Sequence, residues 1–438
     1  MRKIVFRALV FVFVLGVVAF GAFQAGRFAA PAARFEPAST GAGGDELTAA
    51  WADFIRAQEQ SIALLRDHEF FGTEQEQAEA YRGILYGLIG AIQNGALPNP
   101  DQPRFVRSVD WTSKSGLDNP DNDYYVATLR DDAEYRIVGT RGTTRNLIFQ
   151  LVLGQPGVGE AGTSTNISVL DARDMQIEDD GSFEILMSRS DPGPEHNWLP
   201  IDDGAETLIV RFTYSDWSSE QAGRLFIERI GGEGVPSPIL TPTQMARSLR
   251  RAARSLFDRS STWLRYSNMA WTTMPRNGVS RARPSQGGLV GQYSAFGTWE
   301  LEEDEALILT THPTSATYQG IELGNLWFVS LDSETRTSSL TSDQALLGED
   351  GRYHFVISAH DPGIQNWLDT EGHPRGLIML RWQGLAGAIG DAAQPSTRRI
   401  RFDQILEALP AGTPRFGSKE RREQIHTRAT AAKRRSSG

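Results

Sequence analysis

At 438 residues the chain is long enough for two or three domains, each with a core of its own. Its 40% hydrophobic and 22% charged residues, with 10 Trp and 43 Gly, favour packed β structure with many turns over disorder or a long coiled coil. Cys is absent, which excludes disulfides, thiolate metal sites, a Cys nucleophile and a lipidated Cys, and a net charge of −10 argues against nucleic acid as a partner.

Residues 1-33 read as a signal peptide or membrane anchor. Arg2, Lys3 and Arg7 precede an apolar run from Ala8 to Phe23, a length that fits either a cleaved signal core or an uncleaved, short span. Either way the positive residues stay inside and the body is translocated. The expected location is therefore the cell envelope: anchored in the inner membrane and facing the periplasm or exterior, or secreted if the segment is cleaved. Membrane contact is expected through this N-terminal segment.

Residues 34-103 form a predicted helical hairpin, with Leu47, Trp51, Phe54 and Ile55, then Tyr81, Ile84, Leu85, Leu88 and Ile92 at helical spacing. In 104-235 the pattern switches to short alternating runs separated by Gly, Pro, Asp and Asn, a first β domain. The stretch 236-275 is a linker helix, with Thr243 read as its cap and Arg247, Arg250, Arg251, Arg254 and Arg259 on a face expected to be solvated. A second β domain occupies 276-400. The remaining 401-438 read as a basic tail; from Arg398 onward there are 11 Lys or Arg against 4 Asp or Glu. Solvation as a tail or frayed helix is the expectation there, and attraction to anionic lipid the alternative.

The two β regions are related. Asp180-Gly181, Asp191-Pro192-Gly193, Asn197-Trp198-Leu199 and Arg211 recur as Asp350-Gly351, Asp361-Pro362-Gly363, Asn366-Trp367-Leu368 and Arg381. The offset is 170 residues except at the Asn-Trp pair, where it is 169, so the second copy loses one residue and then regains it. The element reads as a hairpin turn, a strand, a turn pinned by Asp-Pro-Gly, a loop bearing Asn-Trp and a strand carrying Arg. It serves either as a structural corner or as a ligand-facing loop in which Asn197, Trp198 and Arg211, with Asn366, Trp367 and Arg381, hold a ring and an anionic group.

On these residues the chain resembles bacterial proteins of the domain-of-unknown-function family twelve-fourteen, often paired with family twelve fifty-four. The resemblance also rests on the segments Asp118 to Asn122, Tyr135 to Thr143 and Tyr318 to Trp327, and it spans roughly Ser108 to Leu385. It implies tandem jelly-roll-like β domains and no agreed activity. Pro200 in the first copy is Asp369 in the second, so the two loops differ in chemistry.

Motifs for known chemistry are sparse. Gly157 to Gly162 spells a dinucleotide-binding pattern, but a strand follows it where a helix is required, so it reads as a loop. Asp118, Asp121 and Asp123 lack the Gly and oxygen ligands of a calcium loop and read as a turn. No metal ligands or cofactor are specified. His354, His360 and Asp361 are the candidate acid/base groups for a hydrolase or lyase acting from the second copy.

The expectation is thus a mainly β protein with helical segments, built on two tandem jelly-roll or β-sandwich-like domains behind an N-terminal signal or anchor helix. Its function is read as binding of a small ligand or partner through those domains. The alternatives are a hydrolase or lyase with its site in the second domain, and a structural scaffold.

Overall fold

The computed structural model describes residues 33–37, 45–159, 162, 164–285 and 288–436. The segment Ala8 to Phe23 lies outside them, and among the described residues no helix is long and apolar enough to cross a membrane. Contacts divide the chain into Met1–Arg34 and Phe35–Gly438; all that follows concerns the second unit.

Helix α1 (Glu46–Arg66) is capped by Asp45, and α2 (Glu74–Ala91) opens on a capping box between Thr73 and Glu76. Helix α3 (Pro242–Thr273) starts two residues earlier than expected: Thr241 rather than Thr243 is its cap, reciprocated by Gln244, with Pro242 at the first helical position. Small residues let the helices approach closely, as Ala50, Ala57, Ala246, Ala252 and Ala253 pack in one buried cluster. The arginine face of α3 is only partly solvated. Arg250 bridges Glu46 and Asp53, and Arg259 is buried enough to push its guanidinium down to about 10.

The first β domain has two sheets. One orders β1 (Val106–Val109), β2 (Asn122–Thr128), β8 (Ala205–Thr213), β4 (Asn146–Leu153) and β5 (Thr165–Asp171). The other orders β7 (Asn197–Pro200), β6 (Ser182–Ser188), β3 (Tyr135–Thr140) and β9 (Leu225–Arg229). Alternate residues of both, such as Leu147, Phe149, Ile185, Met187, Leu208 and Phe212, fill one core, which makes the pair a sandwich.

The second domain repeats this order strand for strand. Its sheets run β10 (Gly278–Val279), β12 (Tyr293–Glu300), β18 (Arg375–Gln383), β14 (Tyr318–Gly324), β15 (Ser339–Thr341), with β11 (Arg283–Pro284) on β12, and β17 (Trp367–Asp369), β16 (Tyr353–Ser358), β13 (Glu305–Thr311), β19 (Ser396–Arg401). Pairing is antiparallel except for β6 with β7 and β16 with β17, which are parallel in both domains. The duplication read from the sequence is thus a duplication of topology. Among the described residues the fold is mainly β, with two tandem sandwiches and supporting helices.

After a one-turn helix α4 (Ile405–Ala408), the basic C-terminus forms helix α5 (Ser418–Ser436), and it is docked rather than solvated. Arg421 and Arg428 are buried and Arg435 half-buried at seven-residue spacing, which puts them on one face two turns apart. Each cation finds acceptors. Arg421 meets Asp361 at 2.9 Å and stacks on Trp367; Arg428 donates to Ser333 O and Ser339 Oγ, both at 2.9 Å; Arg435 meets Asp123 at 2.9 Å. The helix therefore ties the first domain to the second, which charge counting alone could not reveal.

Candidate functional site

The repeated corner does the same structural work twice. Asn197 accepts from Gln176 N at 2.7 Å and donates to Gln176 O at 2.9 Å; Asn366 accepts from Leu346 N and donates to Leu346 O, both at 2.7 Å. Each amide thereby completes the backbone bonding of a neighbouring loop segment. The Trp198 indole donates to Ser188 O at 3.2 Å and the Trp367 indole to Ser358 O at 3.1 Å. Both Asp-Pro-Gly turns close through Asp191 to Gly193 N at 2.8 Å and Asp361 to Gly363 N at 2.9 Å. What differs is cover: Trp367 is 8% exposed beneath Arg421, whereas Trp198 is half-buried. Trp367→Ala is therefore expected to cost about 3 to 5 kcal/mol, and Trp198→Ala clearly less, by urea unfolding of the two variants.

Arg211 and Arg381 are brought together with a different set of partners. They project from β8 and β18 toward the seam between the two domains. Register makes Gln150 on β4 the counterpart of Glu322 on β14, since Gln150 faces Ile209 and Glu322 faces Met379. Arg211 donates to Gln150 Oε1 at 2.6 Å, and Arg381 pairs with Glu322. The seam is a polar layer: Asn146 donates to Gln383 at 2.9 Å, and the Tyr318 hydroxyl donates to Asp121 Oδ2 at 2.7 Å. A side chain at position 320 would collide with Tyr318, so Gly320 permits the close approach. Burial beside Asp118 and Asp121 pushes the Glu322 carboxyl up to about 8, against the pull of Arg381.

Asp118, Asp121 and Asp123 belong to this seam. Asp118 accepts from Ser330 Oγ at 2.8 Å, Asp121 from Trp217 Nε1 at 2.8 Å, and Asp123 from Tyr214 at 2.8 Å and Arg107 at 2.5 Å. Each carboxylate is thus engaged in protein bonds. Of the glycine pattern, the described residues Gly157, Gly159 and Gly162 belong to no helix or strand, and Gly157 and Gly162 lie against α3, at Trp263 and Thr262.

The three acid/base candidates sit in three environments. His360 is exposed and bonds Glu303 at 3.2 Å, and Asp361 is held by Arg421. His354 is mostly buried: its Nε2 lies 3.0 Å from Asp350 and its Nδ1 3.1 Å from Thr310 Oγ1, across the β13–β16 pairing. His354 also borders a cavity of about 200 Å³ whose walls include Leu346, Leu347, Ile364 and Leu409, with Glu349 and Asn366 among its polar lining. In the first copy Glu184 aligns with His354.

A second cluster was not visible from the sequence. Glu79 of α2, Glu371 and His373 place one ligand-capable atom each within 4.8 Å of one another. They are separated by nearly 300 residues, and only the packing of α2 on the second domain joins them.

Among curated proteins none matches the chain. A crystal structure of an uncharacterised protein from Burkholderia cenocepacia superposes with a TM-score of 0.76 at 29% identity, covering 82% of this chain and 99% of that one. The tandem architecture is thus shared over nearly all of that molecule. A crystal structure of a protein from Vibrio parahaemolyticus aligns with a TM-score of 0.42 at 12% identity, covering 78% of this chain and 100% of that one. Residues 122–215, which run from the start of β2 to just past β8, match the model of the family described as protein of unknown function (DUF1214), the family that the sequence resembles.

Proposed function

We propose that the protein is an exported envelope protein, attached to the membrane by its N-terminal segment, whose second β domain binds a small ligand in the cavity beside His354. The positive residues Arg2, Lys3 and Arg7 before the apolar run support the location. The cavity of about 200 Å³ carries the binding reading. An apolar cavity of about 150 Å³ accommodates benzene, so the space suits one ring or a short branched chain. Apolar walls would bury its body, and Glu349 with the His354–Asp350 pair would receive a hydrogen-bond donor or cationic head. Asn366 acts indirectly, by holding the Leu346 backbone that forms one wall.

The test is a thermal-shift screen of detergent-solubilised protein against small aromatic and aliphatic amines, alcohols and acids. A ligand at about 100 times its dissociation constant adds roughly 2.7 kcal/mol. Leu347→Trp, at the exposed rim, is expected to fill the cavity and abolish that stabilisation while leaving the fold intact. A full shift persisting in this variant, or no shift with any compound, sinks the reading.

One observation favours hydrolysis as a second reading. With Asp350 on Nε2, His354 presents Nδ1 to the Thr310 hydroxyl, the arrangement of an oriented base beside a potential nucleophile. This reading requires ester or amide turnover by the protein that His354→Ala and Thr310→Val each remove; turnover lost instead in His360→Ala would place the chemistry elsewhere.

A further inference from the structure

The turn between β17 and β18 is where the second domain regains the residue it lost. The first copy spans Ile201 to Gly204 between its strands, four residues, and the second spans Thr370 to Pro374, five. This longer turn carries Glu371 and His373. Glu371 is held at φ +55, in the left-handed region that a non-glycine residue seldom occupies. Such a conformation costs free energy that the surrounding contacts must offset, and its result is a carboxylate delivered to His373 and Glu79.

The bonds around the cluster orient every member. The His373 Nδ1 lies 2.8 Å from Thr370 O and donates there, while Nε2 donates to Glu79 Oε2 at 2.9 Å through a proton that a metal ion would displace. Glu79 Oε1 accepts from Arg82 at 3.0 Å, and Oε2 also receives the Asn325 amide at 2.9 Å. Glu371 Oε1 accepts the Asp332 backbone N–H. The second oxygen of Glu371 remains available. A histidine whose other nitrogen is pinned to a carbonyl, and carboxylates held by a second layer of donors, are the features that fix metal ligands in place.

We propose that Glu79, Glu371 and His373 form a binding site for a divalent transition metal, with Zn²⁺ and Mn²⁺ as the ions suited to one imidazole nitrogen and two carboxylate oxygens. Three protein ligands leave a coordination position for water or a substrate oxygen. Glu79 and His373 are buried and Glu371 is partly exposed, so that position opens on the Glu371 side. The site shares no residue with the lining of the His354 cavity.

The experiment uses untagged full-length protein in detergent, stripped with a chelator and titrated with Zn²⁺ or Mn²⁺ against a competing chromophoric chelator. Wild type is expected to take up one ion per chain. Glu371→Gln, at the partly exposed ligand, and His373→Asn are expected to weaken binding at least tenfold, while His354→Ala leaves it unchanged. Circular dichroism and unfolding curves establish that each variant is folded, and Glu371→Gln is the variant that decides should His373→Asn fail to fold. Absence of stoichiometric uptake by wild type overturns the proposal, as does folded Glu371→Gln that binds as tightly as wild type.

Discussion

Replacing Asp123 by asparagine is expected to lower the unfolding free energy by about 3 to 5 kcal/mol, the range found when one partner of a buried ion pair is removed. Asp123 is 1% exposed and sits between Arg107 at 2.5 Å and Arg435 at 2.9 Å. Without its charge two guanidiniums face each other in a buried site. The Arg435 end of α5 is then expected to loosen, since the Arg435 side chain keeps only Pro120 O and the faces of Tyr214 and Trp217, while Arg434 still donates to Trp217 O and Ser218 O. Two measurements check this. Urea unfolding gives the loss of stability, and limited trypsin digestion follows release of the helix, because Arg428, Lys433, Arg434 and Arg435 become cleavable. The double substitution Asp123→Asn with Arg435→Gln removes one of the opposed cations and is expected to recover part of the loss. Equal stability of wild type and Asp123→Asn, with α5 still protected, would mean that the helix is held by Arg421, Arg428 and Arg434 without the Asp123 pair.

The docked helix also shows where the sequence stops being informative. Strand periodicity and the 170-residue offset located both sandwiches, because alternation of apolar side chains follows directly from the pleat. The Asn-Trp corners were legible for the same reason: an identical backbone task in two copies selects identical side chains. Helix α5 was not legible, since a reading based on hydropathy assigns arginine to solvent. Here Arg421, Arg428 and Arg435 are docked by pairing with carboxylates, carbonyls and ring faces, and only their spacing of seven, with Ala431 and Ala432 alongside, hinted at a covered stripe. That Glu79 joins Glu371 and His373 was not legible because no periodicity links α2 to a turn in the second sandwich. The three aspartates of the seam looked like a surface turn because their partners, Ser330, Tyr318 and Arg435, lie far along the chain.

The seam also gives stability an unusual pH dependence. Glu322 has an ordinary carboxyl value of 4.5, and burial near Asp118 and Asp121 raises it to about 8 in the folded protein. Between these values the unfolded chain has released the proton while the folded chain still holds it, so the folded state binds more protons and its stability falls as pH rises. Below 4.5 both states are protonated and the penalty vanishes; above about 8 both are ionised and it reaches its limit. A raised carboxyl therefore opposes folding at neutral and alkaline pH, by an amount on the order of 5 kcal/mol when fully developed. Glu322→Gln removes the titrating group, and the first domain supplies the precedent, since Gln150 occupies the matching position and bonds Arg211 at 2.6 Å. Measured by urea unfolding at pH 5 and pH 8.5, the variant is expected to gain stability relative to wild type as pH increases, while every other titrating group cancels in the comparison. The opposite trend, wild type gaining on the variant with rising pH, would mean that Arg381 holds Glu322 ionised. The polar seam would then be a net attraction between the two domains at neutral pH rather than a cost that the apolar cores offset.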